Sequence, residues 1–130
     1  MNVHRIFCIG KNYADHIAEL ASLGHGDDMV VFMKPPSAIV EAGRPLRLPR
    51  GRGAVHHEAE LVVRLQGGGR DIAAGSALET VSHVTLGLDL TLRDLQTALK
   101  NKGAPWELAK SFDGSAALGR WMPWSGDDLQ

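Results

Sequence analysis

The sequence contains a single cysteine, no long apolar run and no surplus of charge of either sign. One thiol, Cys8, closes no internal disulfide and builds no cysteine-type zinc site. Set in the apolar stretch Arg5-Ile6-Phe7-Cys8-Ile9, it reads as a small buried hydrophobe. Fourteen Lys and Arg stand against 15 Asp and Glu, a formal net charge of -1. That balance removes the electrostatic case for nucleic acid or an acidic membrane as a partner. No apolar run approaches the roughly 20 residues that a membrane-spanning helix needs. The first apolar segment stops at Gly10, too short for a signal-peptide core, and lacks a small-residue cleavage pattern. A cytoplasmic protein is the expectation. Internal repeats and low-complexity tracts are absent as well.

What is there is ordinary for a globular chain: 130 residues, 44% hydrophobic and 22% charged. This length suits one small domain spanning 1–130, with roughly two-thirds of the unfolded surface buried and a thin core. Residues 3–9 read as a buried strand, and Asn12 as the N-cap of a short helix from Tyr13 to Leu23. Val30 to Met33 is a short strand cut off by Pro35-Pro36, and 41–53 is irregular. Val55 to Leu65 is the longest strand candidate, ended by the turn at Gly67-Gly68-Gly69. Val81 to Leu90 is another strand. Thr91 is expected to cap a helix from Leu92 to Asn101, with Leu92, Leu95 and Leu99 as its apolar stripe. Strands and helices do not alternate regularly, so a doubly wound parallel sheet is excluded. The expected class is α+β, strand-rich, with a mixed β-sheet or roll.

The sharpest chemical signal is His56-His57-Glu58-Ala59-Glu60 on the long strand. Residues two apart on a strand share a face, so Glu58 and Glu60 project together. The other face carries Val55, His57, Ala59, Leu61 and Val63. Two carboxylates on one face repel when ionised, and a divalent cation removes that conflict. Carboxylate oxygens favour Mg, Mn or Ca over zinc. Asp89, within Leu86-Gly87-Leu88-Asp89-Leu90, is the candidate third oxygen donor, with Gly87 beside it leaving room for a ligand or another backbone. The competing reading makes Glu58 and Glu60 a solvated strand face and Asp89 a cap for the next helix.

His16 and Glu19 lie three apart on the expected first helix, where a Glu can orient a His as a general base for water. An exposed His with a Glu neighbour is the plainer alternative. Arg93 and Gln96 have the same spacing on the second helix, away from its leucines. Lys110 is either a surface lysine or an anion binder; no spacing decides it.

Five segments in order then carry a resemblance. They are Ile9-Gly10-Lys11-Asn12-Tyr13-Ala14-Asp15-His16, Phe32-Met33-Lys34-Pro35, and His56-His57-Glu58-Ala59-Glu60-Leu61, followed by Leu88 to Gln96 and Gly103 to Gly114. Together they resemble the fumarylacetoacetate hydrolase family. The resemblance implies that family's mixed β-roll and a Mg2+ or Mn2+ site built from Glu58, Glu60 and Asp89. It implies His16 and Glu19 as the water-activating pair, on a helix that closes over the substrate. Lys110 would add positive charge near a developing oxyanion, and Arg93 and Gln96 would bind substrate oxygens or anionic groups. The Asn12-to-His16 opening is similar to the smaller, single-domain members that act on acylpyruvates and oxaloacetate. Ile9 stands where larger members carry a further metal-ligand Asp.

The implied activity is metal-dependent hydrolysis of the carbon–carbon bond in acylpyruvate-type 1,3-diketo acids. The partners implied are a small keto-acid substrate and a second copy of the chain in a homodimer. Oxaloacetate decarboxylation, or isomerisation or decarboxylation of aromatic-degradation intermediates, uses the same set of groups. The family pattern continues past the last match, with later strands and a Gly-Thr-Pro type motif. The chain is therefore expected to be an incomplete domain with uncovered sheet edges and apolar surface. An inactive fragment serving only in binding or assembly is the alternative from another class.

Overall fold

The computed structural model describes residues 3–10, 12 and 29–126 of the chain. Strands β1 (Ile6–Gly10) and β2 (Val30–Lys34) pair antiparallel, with Ile6 opposite Lys34 and Gly10 opposite Val30. β1 is half of a two-stranded ribbon and leaves Phe7 and Ile9 exposed, so it is not the buried strand expected of residues 3–9. Pro36, whose missing N–H suits a first helical position, opens a single 3-10 turn, Pro36–Ala38, after β2. The expected helix from Tyr13 to Leu23 lies outside the described residues.

The main sheet has five strands. β3 (Ile39–Glu41), β6 (Ala116–Leu118), β5 (Val81–Leu92) and β4 (Val55–Leu65) lie side by side in that order, and β7 (Met122–Pro123) also pairs with β5. β3 and β6 run parallel and every other pairing is antiparallel, so the sheet is mixed. The β4–β5 pair is its backbone: Val55 faces Leu92, Glu58 faces Asp89 and Glu60 faces Gly87, with one register shift at Arg64/Leu65. The strand-rich α+β class expected from the sequence is the class observed.

Helix α1 (Arg93–Asn101) follows β5 directly, and α2 (Glu107–Lys110) is a single turn. The expected Thr91 cap does not form. β5 continues to Leu92 because Thr91 and Leu92 pair with His56 and Val55, which places Leu92 on the sheet and not on the helix stripe. Asp94 accepts a hydrogen bond from the Ala54 N–H at 2.9 Å, while the Arg93 N–H donates to the Ala54 carbonyl at 2.9 Å. Gly53 is required at this junction. Its φ is +80, and a Cβ there would stand 2.4 Å from Asp94 Oδ2.

The buried apolar residues are few and mostly small: Ala38, Val84, Leu90, Leu92, Ala109, Ala116 and Ala117. The two faces of β4 are oriented with the acids inward. Glu58, Glu60 and Val62 are half-buried, whereas His57, Ala59, Leu61, Val63 and Leu65 are exposed. Leu86, opposite Leu61 on β5, is 72% exposed. Period two therefore holds on β4, but its apolar stripe looks outward. Among the described residues no helix is long and apolar enough to cross a membrane.

Candidate active site

Three elements deliver the site. The β4–β5 register sets Glu58 directly opposite Asp89, on the face that also carries Glu60. α1 begins four residues after Asp89, where β5 ends, and brings Arg93 and Gln96 over that face. The short α2, packed against β2 through a Phe32–Trp106 ring contact at 5.1 Å, brings in Lys110.

The Lys110 ammonium bridges the two carboxylates, 2.6 Å from Glu58 Oε2 and 2.7 Å from Asp89 Oδ2. The Arg93 guanidinium donates Nη2–H to Glu58 Oε1 and Nη1–H to Gln96 Oε1, the latter at 2.6 Å. Its Nε–H reaches His56 Nδ1 at 3.4 Å. Gln96 is buried. Lys34 stands behind Asp89, with its ammonium 2.9 Å from Asp89 Oδ1. The Lys34 ammonium also donates to the Lys110 carbonyl, to Ser115 Oγ at 3.0 Å and to the Leu90 carbonyl at 3.5 Å. Ser115 Oγ donates in turn to the Lys110 carbonyl at 2.8 Å.

These contacts set the charge states. Burial works to raise the Glu58 carboxyl, but the hydrogen bond and charge of Lys110, with Arg93 added, outweigh it and hold the group below the usual carboxylate range. Burial pulls the Lys34 ammonium down, against the opposing charge and hydrogen bonding of Asp89. Burial, then the nearby Asp89 charge, pushes the Cys8 thiol up to about 11. Cys8 is half-buried and remains a thiol at neutral pH, not a thiolate nucleophile.

The structure thus brings Glu58, Asp89, Lys110, Arg93 and Gln96 into one connected cluster and places Glu60 on the same face. His16 and Glu19 lie outside the described residues. Gly87 does not leave room for a ligand, because Val62 and Leu118 fill it: a Cβ there would stand 2.8 Å from Val62 Cγ2 and 3.1 Å from Leu118 Cδ2. Lys34 and Ser115 had no role assigned from the sequence. Period two on β2 carries the signal for Lys34, which shares a face with Val30 and Phe32 and therefore points inward with them.

Among the described residues no group of three or more His, Cys, Asp or Glu side chains is gathered closely enough to hold a metal ion. Two carboxylates instead grip one ammonium, so Lys110 holds the position that a cation between them would take. The donor set suits a hard divalent cation in kind, being carboxylate oxygens presented in register on one sheet face.

The mixed sheet thus presents two facing carboxylates to two lysines and an arginine. The chain belongs to the fumarylacetoacetate hydrolase family: the family described as Fumarylacetoacetate (FAA) hydrolase C-terminal matches residues 5–129. It is 39% identical over 121 residues to the oxaloacetate tautomerase YcgM of Escherichia coli (strain K12), covering 93% of this chain and 55% of that protein. Among solved structures, a fumarylacetoacetate hydrolase family protein from Yersinia pestis CO92 superposes with a TM-score of 0.88 at 37% identity, over 97% of this chain and 58% of that one. The fumarylpyruvate hydrolase of Pseudomonas aeruginosa, solved with Mn2+ and pyruvate, gives 0.84 at 40% identity, over 95% and 55%. The chain spans about half the length of the curated relatives it matches.

Proposed function

We propose that the chain carries the metal-binding and anion-binding part of an enzyme that hydrolyses the carbon–carbon bond of acylpyruvate-type 1,3-diketo acids, with Mg2+ or Mn2+ as cofactor. The observation that carries this reading is the single cation, Lys110 Nζ, held between Glu58 Oε2 and Asp89 Oδ2 on the face that also bears Glu60. Glu58, Glu60 and Asp89 would hold the divalent ion. When bound, it would supply Lewis-acid stabilisation of negative charge developing at the pyruvoyl end of a keto acid. The similar fumarylpyruvate hydrolase with Mn2+ and pyruvate supports that assignment.

The remaining residues take roles that their contacts favour. Arg93 is oriented by Glu58 and Gln96, so its guanidinium is pre-positioned for a substrate carboxylate. Lys110, anchored through its carbonyl by Lys34 and Ser115, adds a fixed positive charge beside the reacting centre. His16, held by Glu19, would take the proton of the attacking water.

A second reading is oxaloacetate tautomerisation, favoured by the names of several similar proteins. It needs proton movement at the keto acid but no attacking water. The test is to assay the chain with Mn2+ on fumarylpyruvate, acetylpyruvate and oxaloacetate, with and without chelator. Chelator-sensitive hydrolysis that disappears in His16→Ala, while Mn2+ binding persists, is the expected result. Interconversion of oxaloacetate tautomers without hydrolysis selects the second reading. Silence with all three leaves the chain a non-catalytic fragment.

A further inference from the structure

An open cleft of about 870 Å³ lies at the β3 end of the main sheet, and no member of the charged cluster lines it. Its apolar walls come from Ile39 and Val40 on β3, from Leu118 on β6 and from the half-buried Trp121. The charged residues of the lining are Glu41 and Arg120. Glu41 is already engaged, with its Oε2 2.8 Å from Arg44 Nε. Arg120 is exposed, and among the described residues it forms no ion pair. The cleft therefore offers apolar walls and one uncompensated positive charge.

Backbone hydrogen bonds fix both sides of it. The Ala42 N–H donates to the Leu118 carbonyl at 2.9 Å, and the Gly119 N–H donates to the Leu86 carbonyl at 2.9 Å. Thr85 Oγ1–H donates to the Arg120 carbonyl at 3.0 Å. Gly119 is needed for this close approach, since a Cβ there would stand 2.9 Å from the Leu86 carbonyl oxygen. The walls are thus in place before any ligand arrives, as in most small-molecule sites, and the volume falls within their range.

We propose that this cleft binds a monocarboxylate with a flat apolar body, its ring against Trp121 and its carboxylate on the Arg120 guanidinium. A guanidinium pairs with a carboxylate through two parallel N–H···O bonds, and an aromatic ring packs on an indole in stacked or edge-on geometry. One free cation suits one anionic group. A second carboxylate would have to lie against apolar walls without a partner. The site is separate from the Glu58–Asp89 cluster and does not depend on the metal reading of that cluster.

The test is titration of the full chain with phenylacetate, followed by the indole N–H resonances, that of Trp121 being assigned with Trp121→Phe. The Trp121 signal should shift and saturate. Phenylacetamide, which keeps the ring but not the charge, should bind about fivefold more weakly or worse. Arg120→Gln should lose the same factor for phenylacetate and nothing for the amide, and Arg120→Lys should recover part of it. Because Arg120 is exposed, these replacements leave the fold intact. Equal binding of acid and amide, unchanged phenylacetate binding in Arg120→Gln, or no saturable shift up to about 10 mM overturns the proposal. A shift at Trp106 in place of Trp121 puts the ligand beside Lys110 and overturns it too. A Trp121 signal that moves with protein concentration alone makes the cleft a contact between copies of the chain, with the same consequence.

Discussion

Glu58 and Asp89 stand directly opposite one another on neighbouring antiparallel strands, and a single ammonium, that of Lys110, lies within 2.7 Å of both. Each carboxylate has a further cation at its other oxygen, Arg93 for Glu58 and Lys34 for Asp89. The cluster is a chain of alternating charges running from the rim at Arg93 to the interior at Lys34. Its stability depends on that alternation, because an ion stripped of its partner in a buried place keeps its desolvation cost.

Replacing Lys110 by Met should therefore destabilise the fold by about 3 kcal/mol, since two facing carboxylates lose their shared cation. The Lys110 side chain is 3% exposed, so water does not replace it. In urea denaturation, the double variant Lys110→Met/Glu58→Gln should lose less than the sum of its two single variants, by about 1 kcal/mol or more. Simple additivity would show that the bridge is not an energetic unit. Mn2+ should stabilise Lys110→Met more than wild type, because binding to the folded state alone raises stability and the place between the carboxylates is then free.

How much of this was legible in the sequence differs by residue. The shared face of Glu58 and Glu60 follows from the period of a strand, and the cost of a lone Asp in an apolar strand singled out Asp89. Neither argument reaches Lys110, whose meeting with Glu58 joins positions 52 apart through a one-turn helix with no amphipathic pattern of its own. A lysine before Pro-Pro looks like a strand end at the surface, and only the phase of Lys34 with Val30 and Phe32 points it inward. At Thr91 the sequence shows a good cap residue but not the strand partner, His56, that keeps it extended. The outward apolar stripe of β4 was visible as a pattern. Which side of the sheet the interior would occupy was not, since both faces carry residues that suit burial once the acids are paired.

That outward stripe makes a prediction of its own. Leu61, Val63, Leu65 and Leu86 form exposed apolar surface on the β4–β5 pair. The chain should bind a hydrophobic dye in its native state, and Leu86→Lys should reduce the fluorescence. Because Leu86 is 72% exposed, the same change should alter the urea midpoint little, by less than about 0.5 kcal/mol in stability. A large loss of stability would mean that Leu86 is covered in solution.

Glu58 gives the pH dependence its sign. Its carboxyl is held below the usual range in the folded chain by Lys110 and Arg93, which outweigh burial. Between the folded and unfolded pKa values the unfolded chain binds more protons at this position, so stability rises with pH there. The contribution is fully present above the ordinary carboxylate pKa and is lost as pH falls through the lower folded value. Urea midpoints measured from neutral pH down into the acid range should fall for wild type in that window. Glu58→Gln removes the titrating group and should fall less steeply, its curve converging on that of wild type at the acid end. If the two curves keep a constant separation at every pH, Glu58 does not titrate differently in the folded chain, and the two cations contacting its oxygens do not favour its ionised form.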